Sequence, residues 1–553
     1  MGNSDRKRKI IWSAAGAFIL ALGLAVVIFY IYKRCRAEFN ADFTDTLLWA
    51  NASVESGKFY NPDYWYAYFL PFSGIPLMIP IVAAFGLTYF SHQLGMTIFV
   101  LIFAAVLVWF FRSAKCSYGC AFALSGITLI LMCSSVITRM IFYGHIIHYS
   151  LVIVFMCVAF CLLSRSSSFD GDLRAGDGAS QQAGKKAARS RIFICLTAIW
   201  CLLCTTNGVA TILLFFVPFV ASLILERYLD KTPISLEHDK GLITDTGIIS
   251  AGGLIGVIIK FVFFSSSTYE DSITALLPSD GWVWKQSPFL LEWIKVLTGD
   301  SPDDVLMQSF DGIRILVMYV FALILLIVPV FAAISYKKIT NRLLRLLILY
   351  YWLMFAITLL TYSVSYALVS NWRLAHLACA SLMVTLLYTV YMLKNRLYVR
   401  WIVLLIPVLA VCTLISMLTV RSIPSATDAN QNDRLIAIFE EHGLTRGYSS
   451  SFWNSANAAT VLSDGKIVVS PITIYPDGSY EVRRYQSEPW EYEDAQDTDR
   501  YFVVVADEDL DYAADTLGKN KIEEIKYQDN MYIWVFDRNI FENLEPVYTP
   551  LSK

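Results

Sequence analysis

The chain has 553 residues, of which 56% are hydrophobic and 16% charged, with a formal net charge of −2. Soluble domains carry roughly 25% charged residues, so a chain this apolar places much of itself in lipid, and a single soluble globule is excluded. No basic patch for nucleic acid stands out, and the eleven Cys lie in apolar runs or at their ends, which argues against a disulfide framework. Cys201 and Cys204 form a CxxC inside an apolar run, where small packing residues are the plain reading.

In chain order, the N-terminus begins like a signal peptide. Its apolar core runs on for about 20 residues without a small-residue cleavage site, which reads as an uncleaved first span. Apolar runs then recur at 93–111, 118–137, 144–164, 192–204, 209–225, 246–264, 313–335, 345–366, 374–393 and 400–420, making about eleven spans with the first. One further run, 69–90, is long enough on paper, but Pro71, Gly74, Pro76 and Pro80 crowd its first half. The distribution of positive charge decides its status. If 69–90 does not cross, the loops on the cytoplasmic side hold 22 Lys and Arg and the opposite loops, without the tail, hold 8. If it does cross, most of that charge moves outside. The run is therefore expected to be a re-entrant or interfacial helix pair.

This threading predicts a multi-pass plasma-membrane protein with a cytoplasmic N-terminus and an external tail. The pair 192–204 and 209–225 is a hairpin broken at "TTNG", and the polar loop 164–191 is expected to be a disordered cytoplasmic linker. External loops are expected at 33–92 and 265–312, the second with an amphipathic helix around Phe289 to Leu297. Residues 421–553 carry 12 basic and 24 acidic side chains against 32 and 22 in the rest, marking a soluble acidic domain after a membrane domain of residues 1–420. The tail reads as α/β: helices at 431–442, 453–463 and 509–518, a hairpin turning at Pro476-Asp477-Gly478, and strands "YFVVVA", "IEEIKYQ" and "MYIWVFD". The chain shows no internal repeat, and its tail has no GxGxxG, P-loop or HExxH motif.

The reactive polar groups converge on the external face. Asp42 and Asp45 are three apart, so a helix starting near Phe43 brings their carboxylates together. They read as a general base or a metal ligand, or as plain helix caps. His145 and His148 sit at the outer end of the fourth predicted span and share a helix face there. They read as ligands for a divalent cation or as hydrogen-bonding neighbours. Arg373, in a short external turn before an apolar span, is placed to hold a phosphate or to snorkel to headgroups. Arg139, Lys260 and His376 are weaker versions of the same pattern. Tyr64, Trp65, Tyr66 and Tyr68 are interfacial anchors or faces for stacking on sugar rings.

The order Asp45, Trp49-Ala50, Ser56-Gly57, a Tyr-rich stretch and Leu70-Pro71 to Pro76 resembles the first external loop of GT-C-type membrane glycosyltransferases, the class of protein mannosyltransferases and aminoarabinose transferases. The resemblance implies a GT-C-like helical membrane domain and an inverting transfer of a sugar from a polyprenyl-phosphate carrier. The acceptor would be a cell-envelope glycan, lipid or protein on the external face. It implies Asp45 as the base, with Asp42 able to share that role, and Arg373 as the grip on the carrier phosphate; Tyr64, Trp65 and Arg139 are expected beside the substrate from the reading of the residues alone. The chain departs from the pattern after the third span, where "TRMIFYGHIIHYS" offers His in place of a second acid, so a divalent metal stays an open expectation. The readings from other classes are a transporter or flippase, and a sensory protein with a ligand-binding tail.

Overall fold

In lipid every backbone N–H and C=O must be satisfied within its own segment, so the apolar runs become helices. The computed structural model describes residues 3–166, 180–230, 240–263, 276–282, 284–300, 304–367, 369–397, 399–425, 430–495, 498–528 and 531–541. Among them, 8 helices are long and apolar enough to cross a membrane, from Arg6–Lys33 to Val403–Ser422. A ninth candidate is broken: Tyr118–Leu131 and Val136–Gly144 meet at 118°. The predicted straight span at 118–137 is thus corrected. The break falls at Ser134 and Ser135, where the Ser135 hydroxyl accepts from the Thr138 N–H at 3.1 Å and caps the next turn. Three shorter apolar helices, Ile75–Phe85, His148–Leu163 and Ser190–Thr205, accompany them, so among the described residues 8 to 9 of the predicted eleven spans are long and apolar enough to cross. The chain is a multi-pass membrane protein.

Ile75–Phe85 has 11 residues. At about 1.5 Å per residue it covers roughly half of a ~30 Å hydrocarbon core. It is one helix rather than the expected pair, because residues 69–74 are irregular. Their anchor is the "TTNG" break. Asn207 accepts from the Phe72 N–H and donates to the Phe72 carbonyl, both at 2.8 Å, so one side chain replaces a strand's pairing for an isolated backbone. Of the predicted linker 164–191, residues 167–179 lie outside the described residues, and from Ser180 the chain is already in the helix Ser180–Thr205.

The first span lies directly on Tyr118–Leu131 through glycines seven apart on both helices. A Cβ on Gly119 would come within 2.3 Å of the Trp12 carbonyl oxygen, and one on Gly126 within 2.4 Å of that of Ile19. Only bare backbone permits such an approach.

The tail carries a 6-stranded sheet in the order β3-β2-β1-β4-β6-β5. The strands are β1 (Arg446–Ser449), β2 (Val468–Ile474), β3 (Tyr480–Val482), β4 (Tyr501–Ala506), β5 (Glu523–Gln528) and β6 (Met531–Phe536). The sequence reading missed β1, which is central and parallel to both β2 and β4. Its four residues, "RGYS", carry no run of apolar side chains, and Gly447 is bare because the Phe502 ring lies where a Cβ would go, 2.5 Å away. The expected helix 453–463 shortens to Ala458–Leu462.

The sheet is tied to the first loop rather than free of it. Arg36 pairs with Asp433, and Asn430 donates to the carbonyls of Arg36 and Phe39 at 2.7 and 2.8 Å. Asn61 donates to Glu488 at 2.6 Å. Trp65 and Ser487 form an antiparallel bridge, with Trp65 N–H to the Ser487 carbonyl at 2.9 Å and Gln486 N–H to the Trp65 carbonyl at 2.7 Å.

Candidate active site

Asn40 starts the first feature of interest by accepting from the Asp42 N–H at 3.0 Å, which winds Ala41–Thr44 into a 3-10 turn. The turn runs straight into the helix Asp45–Ser56, placing Asp45 in its first turn, where the helix dipole favours negative charge. The two aspartates are neighbours, as the spacing predicts, and Asp45 feels the charge of Asp42. Asp42 is half-buried and takes a hydrogen bond from the Trp453 side chain, with Arg483 nearby. Asp45 is only 7% exposed. Burial, reinforced by the Asp42 charge and opposed by a hydrogen bond from Gln486, pushes its carboxyl up to about 7. Burial likewise raises Asp42 to about 6, against the hydrogen bond from Trp453 and the Arg483 charge. A carboxyl brought near neutral pH is matched to proton removal.

Tyr64 lies buried between these aspartates and the tail, and its hydroxyl has no hydrogen-bond partner. Burial raises its pKa well above normal, with the charges of Asp45 and Glu491 adding to the effect. Trp65 is half-buried against Tyr492, with ring centroids 6.0 Å apart, and lies under Arg484. Its predicted role as an open stacking face is therefore corrected: its backbone and ring seal the loop to the tail.

The second feature is a cleft between membrane helices. Arg373, His148, Tyr68, Tyr149, Tyr362 and Ser365 line it, and residues 209–214 supply an apolar wall. Arg373 heads the helix Asn371–Lys394, only 6% exposed, with its guanidinium over the rings of Trp372 and Tyr362 at 4.6 and 5.5 Å. Stacking of this kind fixes the guanidinium plane. The Tyr149 and Tyr362 hydroxyls are 3.2 Å apart, while the Ser365 hydroxyl and His148 Nδ1 are buried without partners. Buried polar atoms left unsatisfied at a cleft with a cation call for a polar ligand.

Lys285 adds a second cation near Arg373. Its ammonium donates to the carbonyls of Ser365 and Ala367 at 2.9 and 3.1 Å, and desolvation and the Arg373 charge lower its pKa. Sequence reasoning missed Lys285, Tyr149, Tyr362 and Ser365, because only the packing of the loop 276–300 on the end of Arg342–Val364 brings them together. A lysine between Trp284 and Gln286 in an external loop was the one available signal.

The two features meet at the corner 145–148. Phe43 stacks on His145 at 6.2 Å and the Thr46 hydroxyl lies 3.5 Å from the Ile146 carbonyl, while His148, two residues on, faces the cleft. His145 and His148 do not share a helix face. Gly144 ends one helical segment because the Phe43 ring lies 2.6 Å from where its Cβ would stand, His145 is extended, and His148 begins the next helix. His145 Nδ1 is 3.2 Å from the Met140 carbonyl. Among the described residues no three His, Cys, Asp or Glu gather into one group.

Arg139 is removed from the site by a buried ion pair. Its Nε donates to Glu38 at 2.9 Å and its Nη1 to the Cys133 carbonyl at 2.8 Å. The charge that looked available for a phosphate neutralises Glu38 instead, since an unpaired buried charge would cost several kcal/mol.

The chain matches no family model and no curated protein sequence. Its fold is similar to that of ArnT from Cupriavidus metallidurans. The crystal structure of that protein bound to undecaprenyl phosphate has a TM-score of 0.53 at 10% identity, covering 94% of this chain and 97% of that one. Its apo crystal structure gives a TM-score of 0.50 at 11% identity over the same shares of the two chains. The architecture is thus a GT-C-like helical membrane domain followed by a C-terminal α/β sheet region.

Proposed function

We propose that this protein is a membrane glycosyltransferase that takes a sugar from a polyprenyl-phosphate carrier, and that the cleft around Arg373 holds the carrier's phosphate. The observation that carries the reading is the charge layout. A cleft holding Arg373 and unpaired buried polar atoms lies beside an apolar wall, and a buried, near-neutral carboxyl stands across the corner 145–148. The fold similarity supports the same reading, since the neighbour it matches binds undecaprenyl phosphate.

In the proposed reaction the acceptor's hydroxyl oxygen attacks the anomeric carbon from the face opposite the carrier, and the configuration inverts. As that bond forms, the bond from the anomeric carbon to the phosphate oxygen breaks, and its electron pair leaves with the phosphate. Asp45, ionised, receives the acceptor's proton. Arg373 and Lys285, with the Tyr149–Tyr362 hydroxyl pair, stabilise the leaving phosphate, where electrostatic preorganisation has most effect. The apolar wall at 209–214 receives the first isoprene units. Asp42, held by Trp453, keeps Asp45 basic by repulsion. The external face, the N-terminus in the cytoplasm and an envelope acceptor belong to the same proposal, on the strength of the charge asymmetry among loops.

The test is donor turnover by the full chain in lipid nanodiscs, with polyprenyl-phosphate-linked sugars extracted from bacterial membranes and release of free carrier phosphate as the readout. The reading expects sugar-dependent release that disappears in Asp45→Asn. Equal release by wild type and Asp45→Asn would sink the assignment of the base.

A further inference from the structure

The tail places one amide against the proposed base. Gln486 is 2% exposed and stands at φ 54°, in the left-handed region that a non-glycine residue seldom adopts. Asn457, its neighbour in space, stands at φ 55°. The two are bonded: Asn457 Nδ2 donates to the Gln486 carbonyl at 3.0 Å and lies 3.4 Å from its Oε1. The Thr44 hydroxyl is also 3.4 Å from that Oε1. Thr44 directly precedes Asp45, so this approach brings the Gln486 amide beside the Asp45 carboxyl, with which it pairs. Two adjacent strained residues persist only where their surroundings over-determine them, and such sites concentrate where geometry serves function. The bridge between Trp65 and residues 486–487 fixes the backbone on the loop side.

We propose that Gln486 is a positioning residue for Asp45: its carboxamide holds the carboxylate in one orientation, so the site of proton removal is complete only when the tail is docked. The proposal rests on the reading of Asp45 as the base. It makes the tail part of the reaction centre rather than a separate binding module. The groups that face Asp45 are Asp42 and Tyr64 from the first loop and Gln486 from the tail. Arg483 acts on Asp42, and Glu488 and Glu491 act on Tyr64.

Infrared titration of carboxyl bands on the full-length protein in nanodiscs reads this directly, with Asp45→Asn identifying the band. Gln486→Leu is expected to move the Asp45 midpoint upward by about one pH unit, since a hydrogen bond to the charged form is lost. Gln486→Glu is expected to move it further, and Gln486→Asn, which keeps an amide, to move it least. The acid limb of the transfer profile should move with the midpoint. Retention of added undecaprenyl phosphate, measured on the same samples, serves as the folding control. A midpoint that stays in place in all three variants while the lipid is retained overturns the proposal. A midpoint that moves while the transfer profile does not overturns it through its premise, because Asp45 is then not the base.

Discussion

The cleft at Arg373 and the acidic turn at Asp45 are built from opposite materials. The cleft is cationic, bounded by membrane helices, with the Ser365 hydroxyl and His148 Nδ1 buried on it without partners. The Asp45 site is acidic, made by a short turn, and covered by a tail more than 400 residues further along the chain. A transferase that ejects a phosphate and accepts a proton needs this separation. If cation and carboxylate touched, they would form an ion pair, lowering the basicity of the one and blocking the other. Arg139 and Glu38 show what that outcome looks like, buried and chemically silent.

The sharpest way to break the contrast is to disable each side in turn. Asp45→Asn should lower the transfer rate by about 10²–10⁴, the usual scale for a lost general base, with little effect on carrier affinity. Arg373→Gln should act mainly on affinity, weakening it by roughly 10- to 100-fold, as expected when a charge-assisted contact worth ~1.5–3 kcal/mol is lost. Steady-state analysis that separates kcat from KM for the carrier would distinguish the two, and a reversal of the pattern would exchange their roles.

Structural supports come next. Gly126→Leu pushes a side chain into the Ile19 backbone 2.4 Å away and should cost at least ~1–3 kcal/mol of stability, seen as a lower Tm in detergent. Asn207→Ala removes both hydrogen bonds to Phe72 and should cost about 1–3 kcal/mol, with faster proteolysis at residues 69–74 as the local signature.

The smallest effect is a pH slope confined to the covered site. Burial raises Asp45 and Glu491 to about 7, with the hydrogen bond from Ser470 opposing it at Glu491. A carboxyl whose folded pKa lies above its unfolded value of ~4 binds its proton more tightly in the folded state. That stabilisation is fully present below about 4 and is lost as pH rises through about 7. Tail docking, followed by hydrogen exchange at residues 483–492, should therefore weaken between pH 5 and 8, and Glu491→Gln should flatten the slope. Transfer should run the other way, rising through pH 7 as Asp45 ionises.

Legibility in the sequence divides along the same line. The helices were readable because lipid imposes length and apolarity on each segment alone. Arg373 and His148 were readable as polar residues at the ends of apolar runs. The bend at Ser134–Ser135 was not, because serines are common in membrane helices and only the capping of Thr138 makes these two a break. Arg139 misled because its partner, Glu38, is 101 residues away, and β1 was hidden by its four short residues between two strong strands. Gln486 had no signal at all. A glutamine among charged residues in a hairpin reads as surface until the tail folds back over residues 44–65.

Native mass spectrometry of the full-length protein with added undecaprenyl phosphate tests the central claim, a carrier site at Arg373 that is distinct from the base at Asp45. The account predicts that wild type and Asp45→Asn retain the lipid equally and that Arg373→Gln loses it. Equal retention by all three, or loss in Asp45→Asn as great as in Arg373→Gln, would contradict it.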